Sequence, residues 1–161
     1  HLNAGFVVHA PDTRILQCNP TACRLLGLTL DQMLGKTAID PAWHFVHEDG
    51  SVMPLEDFPV NRVIATQRSL KNYVVGIKKG TYQQAWVLVN AFPEFDNTAQ
   101  LQQIIVTFVD ITRLKQAETE LREMTQAMEN AISGIAQLNP QGCYVYVNKT
   151  YADMTGHSPE E

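Results

Sequence analysis

At 161 residues and 45% hydrophobic, the chain can bury one full core with some length left over. Its net charge of −5, with no basic group denser than Lys78-Lys79 or Arg113-Leu114-Lys115, excludes a nucleic-acid surface. No apolar run approaches the roughly 20 residues of a membrane helix, and residues 1–4 lack signal-peptide anatomy. The expectation is a cytoplasmic chain without membrane contact of its own, whatever anchor its parent protein has elsewhere.

Residues 5–10 read as a strand, Pro11-Asp12-Thr13 as a turn and residues 14–18 as the returning strand. Asn19 then caps a helix, with Pro20 at the tolerated first position, Ala22, Cys23, Leu25 and Leu26 as its apolar face, and Gly27 as its stop. A second short helix is expected over residues 29–34, ended by Gly35. Residues 37–59 are irregular, broken by Pro41, Pro54 and Pro59 and anchored by Trp43 and Phe45; loops of this kind often wall a binding site. Helical period returns through Val60, Val63 and Ile64.

Three further strands are predicted at residues 70–77, 84–92 and 101–109, giving five with the opening hairpin. Residues 85–89 and 104–106 are apolar on both alternating faces, so both faces of the sheet should be covered, one by the helices before residue 67 and the other by a flanking helix or second subunit. The last strand passes through Asp110-Ile111-Thr112 into a helix whose apolar residues, Leu114, Ala117, Leu121, Met124, Met128 and Ala131, fall on one a/d seam. Glu118 precedes Arg122 by four residues, a favourable surface pair, and in a parallel dimer Arg113 would meet Glu118 of the other chain. The seam is short and carries two alanines, so it either pairs with a second chain or packs on its own domain.

Comparing the start with the end at a fixed offset of 129 residues matches Gly5 with Gly134, Pro11 with Pro140, Leu16 with Val145, Asn19 with Asn148, Thr21 with Thr150 and Gly27 with Gly156. These positions fall at the hairpin, the Asn cap and the helix stop. The end of the chain is therefore expected to begin a second copy, too short to form a core of its own and ordered by packing on something else.

Asn19-Pro20-Thr21-Ala22 with Gly27, then Trp86-Val87-Leu88-Val89-Asn90-Ala91-Phe92-Pro93, then Val106-Thr107-Phe108-Val109-Asp110-Ile111-Thr112 together resemble a PAS domain followed by its signalling helix. The resemblance covers about residues 2–115 and recurs from about residue 131. It implies an α+β PAS fold, a five-stranded antiparallel sheet in order 2-1-5-4-3 with flanking helices around a pocket, followed by a long coiled-coil-type linker helix. The expected divisions are a PAS domain over residues 1–111, the linker over residues 112–133 and a truncated second PAS domain over residues 134–161. The implied role is a dimerising module that senses a small ligand or relays a signal within a larger protein, a two-component sensor histidine kinase or else a diguanylate cyclase or phosphodiesterase. The implied partners are the adjacent PAS and effector domains, a second copy through linker and sheet face, and a small molecule. Asp110, Ile111 and Thr112 would relay signal from sheet to helix, or serve as ordinary caps.

Flavin-binding branches need a reactive Cys in a Gly-x-Asn-Cys-Arg-type helix, which is missing; Cys18, Cys23 and Cys143 read instead as reduced, buried thiols. Haem-binding branches use a His after the irregular loop, where residues 60–77 have none; His44 and His47 lie earlier. The expectation is no identified cofactor, no metal and no catalysis, since neither a Ser-His-Asp set nor a phosphate loop occurs. Candidate pocket residues are Phe6, Val8, Leu26, Trp43, Val63, Tyr73, Trp86, Leu88, Asn90, Val106 and Phe108, all of which would serve equally as core. Asn90 and Tyr73 are the most informative, because a polar group aimed into an apolar face must find a partner. The sequence does not fix strand register.

Overall fold

The computed structural model describes residues 4–35, 44–79 and 83–156. It divides into two compact units, residues 1–113 and 114–161.

In the first unit, β1 (Ala4–His9) and β2 (Ile15–Cys18) form the expected hairpin. Asn19 caps α1 (Pro20–Leu26), Pro20 opens it, and Gly27 closes it in the left-handed conformation at φ 72°. The Asn19 carboxamide also ties the helix to the sheet. Its Oδ1 accepts from Phe6 N (3.1 Å) and Ala22 N (2.8 Å), and its Nδ2 donates to Ala4 O (2.9 Å). A capping box between Thr29 and Gln32 starts α2 (Leu30–Met33). Within the stretch expected to be irregular, β3 (Phe45–Val46) and a 3-10 turn (Leu55–Asp57) form, and Trp43 lies outside the described residues. Helix α3 (Pro59–Thr66) buries Pro59, Val60 and Val63.

The long strands β4 (Leu70–Lys79), β5 (Gln83–Phe95) and β6 (Leu101–Asp110) complete an antiparallel sheet in order β2-β1-β6-β5-β4-β3. The five expected strands keep their expected order; the sixth, β3, is added at the β4 edge through Phe45 opposite Ile77. β5 runs on to Phe95, past the turn expected at Pro93. The reversal instead forms where the Asp96 carboxylate accepts from the backbone N–H groups of Thr98 and Gln100.

Register decides which side chains face inward. Val89 stands opposite Phe108 and Ala91 opposite Val106, so odd residues of β5 share a face with even residues of β6. The same face takes Val7 from β1 and Val75 and Ile77 from β4. These residues, with Ile104 and the buried sides of α1, α2 and α3, make the core. Phe6, Val8, Trp86, Leu88 and Asn90 consequently occupy the outer face, where they are half-buried.

From β6 the chain enters α4 (Thr112–Glu129), shorter than the linker expected to reach residue 133. Around its end, Asn148 Nδ2 donates to the oxygens of Met128 and Ser133, and Thr150 Oγ1 to that of Ala131. No residue of α4 is fully buried; Leu114 (66%), Leu121 (67%) and Met124 (63%) are largely exposed, and Met128 is half-buried. Ala131, expected in the seam, is not helical. Glu118 pairs with Lys115 at 3.1 Å in place of Arg122.

The second unit continues with β7 (Ala136–Leu138), β8 (Tyr144–Val147) and α5 (Lys149–Thr155). Its asparagine cap and hairpin turn repeat those of the first unit. Asn148 Oδ1 accepts from Ile135 N and Tyr151 N, and Nδ2 donates to Ser133 O, the counterparts of the Asn19 bonds to Phe6, Ala22 and Ala4. The turn bonds Ala10 N to Arg14 O and Thr13 N to Ala10 O recur as Asn139 N to Cys143 O and Gly142 N to Asn139 O. Thr13, at φ 73°, holds the left-handed conformation that Gly142 adopts at 81°.

Candidate functional site

Between the inner sheet face and the helices of the first unit lies a cavity of about 80 Å³. β1, β4, β5 and β6 supply Val7, Val75, Ile77, Val87, Val89, Val106 and Phe108; α1 adds Leu26, and Phe45, Phe58, Pro59 and Val60 close it from the β3–α3 side. One titratable group, His9, is among the described lining residues. Its Nδ1 donates to Thr13 O at 2.7 Å, which leaves Nε2 unprotonated on the neutral ring. Burial pushes the His9 pKa below its ordinary 6.5 against the opposing pull of that carbonyl, so the neutral ring is favoured.

Of the expected pocket residues, Leu26, Val106 and Phe108 line the cavity. Phe6, Val8, Trp86, Leu88 and Asn90 do not, because the register turns them outward. Even residues on both β5 and β6 cannot share one face in this pairing. Asn90 finds its partner in the sheet itself: its Oδ1 accepts from Asn72 N at the irregularity in β4, where Asn72 takes φ 53°. Val63 is fully buried core, and Tyr73 packs on the core with Arg62 5.2 Å over its ring; neither lines the cavity. The other lining residues were missed, among them Val7, Val87 and Val89, which the register places on the face of Val106 and Phe108.

His44 is exposed and His47 Nε2 stands 3.4 Å from Asp57 Oδ2; neither reaches the cavity, nor does a cysteine, among the described residues. The one imidazole among the described lining residues is His9. Cys18 and Cys23 are half-buried, and Cys143, expected inside, is exposed.

Beside the cavity, sheet and helix are joined. Ile111 N donates to Trp86 O (2.8 Å), Trp86 N donates to Thr112 Oγ1 (3.0 Å), and Asp110 Oδ1 accepts from Thr112 N (2.8 Å). The carboxylate therefore caps the first helical N–H, and the Thr112 hydroxyl ties the start of α4 to β5. Trp86 immediately precedes Val87, a cavity residue.

A family model described as PAS domain matches residues 3–113, and one described as PAS fold matches residues 122–161. The oxygen sensor protein DosP of Escherichia coli (strain K12) is 23% identical over 123 residues, which is 72% of this chain and 14% of that protein. The PAS domain of Bordetella pertussis BvgS superposes with a TM-score of 0.51 at 19% identity, covering 78% of this chain and 90% of that one. The PAS domain of the fruit-fly ELK potassium channel gives 0.51 at 17% identity, covering 68% and 88%. With the strand order, the capping Asn19 and the family match over the whole first unit in agreement, the chain belongs to the PAS domain family.

Proposed function

We propose that the first unit is a sensing module that responds to a small apolar molecule in its cavity and passes the response to α4. The observation that carries this reading is adjacency: Val87 lines the cavity while Trp86, next to it, holds both Ile111 and Thr112 at the head of the helix. A ligand that favours one arrangement of Val87 over another biases the junction by its differential affinity, typically about 1 to 3 kcal/mol. A cavity of about 80 Å³ with one polar lining group suits a ligand of few atoms and supports sensing over a relay with a filled core. DosP is by name an oxygen sensor, and that likeness supports a signalling reading of this chain. The parent protein is a sensor histidine kinase in this reading, with a diguanylate cyclase or phosphodiesterase as the alternative. The chain itself is non-catalytic and cytoplasmic, and it dimerises through the exposed α4 seam and the half-buried outer sheet face. Among the described residues no helix is long and apolar enough to cross a membrane.

Xenon pressurisation with methyl-detected NMR tests the cavity. Shifts are expected at Val7, Ile15, Leu26 and Val106, accompanied by amide shifts at Trp86 and Thr112. Methyl groups that stay unmoved would remove the sensing reading; methyl shifts without the amide response would remove the relay.

A further inference from the structure

Cys18 ends β2 and Cys23 sits in the middle of α1, and their sulfurs stand 3.7 Å apart across the Asn19 cap. Both are half-buried, so a small oxidant can reach them, and both pack against the core cluster. An S–S bond needs the sulfurs to close to about 2 Å, a movement within reach of side-chain rotation and a small shift of one short helix.

We propose that Cys18 and Cys23 are a reversible dithiol–disulfide site, oxidised by hydroperoxides. One thiol, as thiolate, attacks a peroxide oxygen; the O–O bond breaks, the sulfur becomes a sulfenic acid, and the released hydroxide takes up a proton as water. The second sulfur then attacks the sulfenic sulfur and the S–S bond forms. The leaving hydroxide takes the remaining thiol proton as a second water, so two thiols and one hydrogen peroxide give one disulfide and two waters. Burial, with the Cys23 contact adding to it, pushes the Cys18 thiol up to about 11, so little of it is thiolate near neutral pH. Closing the bond draws α1 toward β2, and Leu26 of α1 and Ile15 of β2 both line the cavity, so oxidation reshapes its wall.

The test is hydrogen peroxide treatment of the whole chain, followed by peptide mapping under non-reducing conditions and methyl NMR. An intramolecular Cys18–Cys23 link is expected, lighter by two hydrogen atoms, restored by a dithiol reductant and lost in Cys18→Ser and in Cys23→Ser. Cys143→Ser retains it. Leu26 and Ile15 methyl shifts should move on oxidation in the unmutated protein, a readout that needs no variant to fold. Links through Cys143 alone, separate over-oxidation of the two thiols, or thiols that stay free while the protein remains folded would each overturn the proposal. Xenon binding is read separately, so failure of the disulfide leaves the cavity assignment standing.

Discussion

At the scale of single residues, the Asn19 carboxamide satisfies two backbone N–H groups and one carbonyl that otherwise lose partners where strand, turn and helix meet. Asn19→Ala should lower stability by about 2 kcal/mol, seen as a lower urea midpoint, whereas Asn19→Asp keeps the acceptor and should lose less. This residue was legible in the sequence because capping chemistry is local. Gly5 was legible only as a match in the repeat. A Cβ there would lie 2.5 Å from Phe108 Cε2, so Gly5→Ala must displace a ring that lines the cavity. A loss of about 1 to 3 kcal/mol and weaker xenon shifts are expected. His9 adds a pH dependence whose sign follows from its lowered pKa. As pH falls below 6.5, the unfolded chain takes up the proton before the folded one does. Stability should therefore decline from that point and level off once folded His9 is also protonated, as urea titrations across acidic pH would show; a flat profile would contradict the burial of the ring.

At the scale of elements, the start and stop of α1 were readable because they rest on residues close in sequence, Asn19 and Gly27, and the run from Ile104 marked β6, whereas the strand order came with the family resemblance. What could not be read was which face each strand turns inward. Inner and outer residues of β5 are equally apolar, Val87 and Val89 beside Trp86 and Leu88, so the pattern carries no sign, and only the pairing of Val89 with Phe108 supplies it. The strand β3 was invisible for a different reason: two residues have no period. Helix α4 shows patterning that foretold a helix but not its end at Glu129, and its partner is a proposal. Its leucines are exposed, as a seam awaiting a second helix would be. Leu121→Asp should convert a dimer to a monomer in sedimentation at several concentrations; unchanged mass would count against the seam. Thr112→Val removes the hydroxyl acceptor of Trp86 N and should cost about 1 kcal/mol, with faster amide exchange at Trp86 and the first turn of α4.

At the scale of the molecule, the two units differ in what they can bury. The first has a sheet, three helices and a continuous core; the second, among the described residues, buries only Ala152 and Asn148 and leaves Leu138, Tyr144 and Val145 exposed. Residues 1–113 expressed alone should unfold cooperatively with dispersed NMR signals, and residues 114–161 alone should not. The repeat foretold the second unit's hairpin, cap and helix, but not the clasp at the end of α4. Lys149 N donates to Glu129 Oε2, and Tyr146 OH donates to Glu129 Oε1, so the last residue of α4 is clasped by the strand and helix that follow it. At the place of Lys149 the first copy has Pro20, which owns no N–H. Duplicated halves are usually treated as spare parts for chimeras, but these two are not exchangeable at that point. Grafting the first hairpin and helix onto the end of α4 would preserve the whole asparagine network and still leave Glu129 without its main-chain donor.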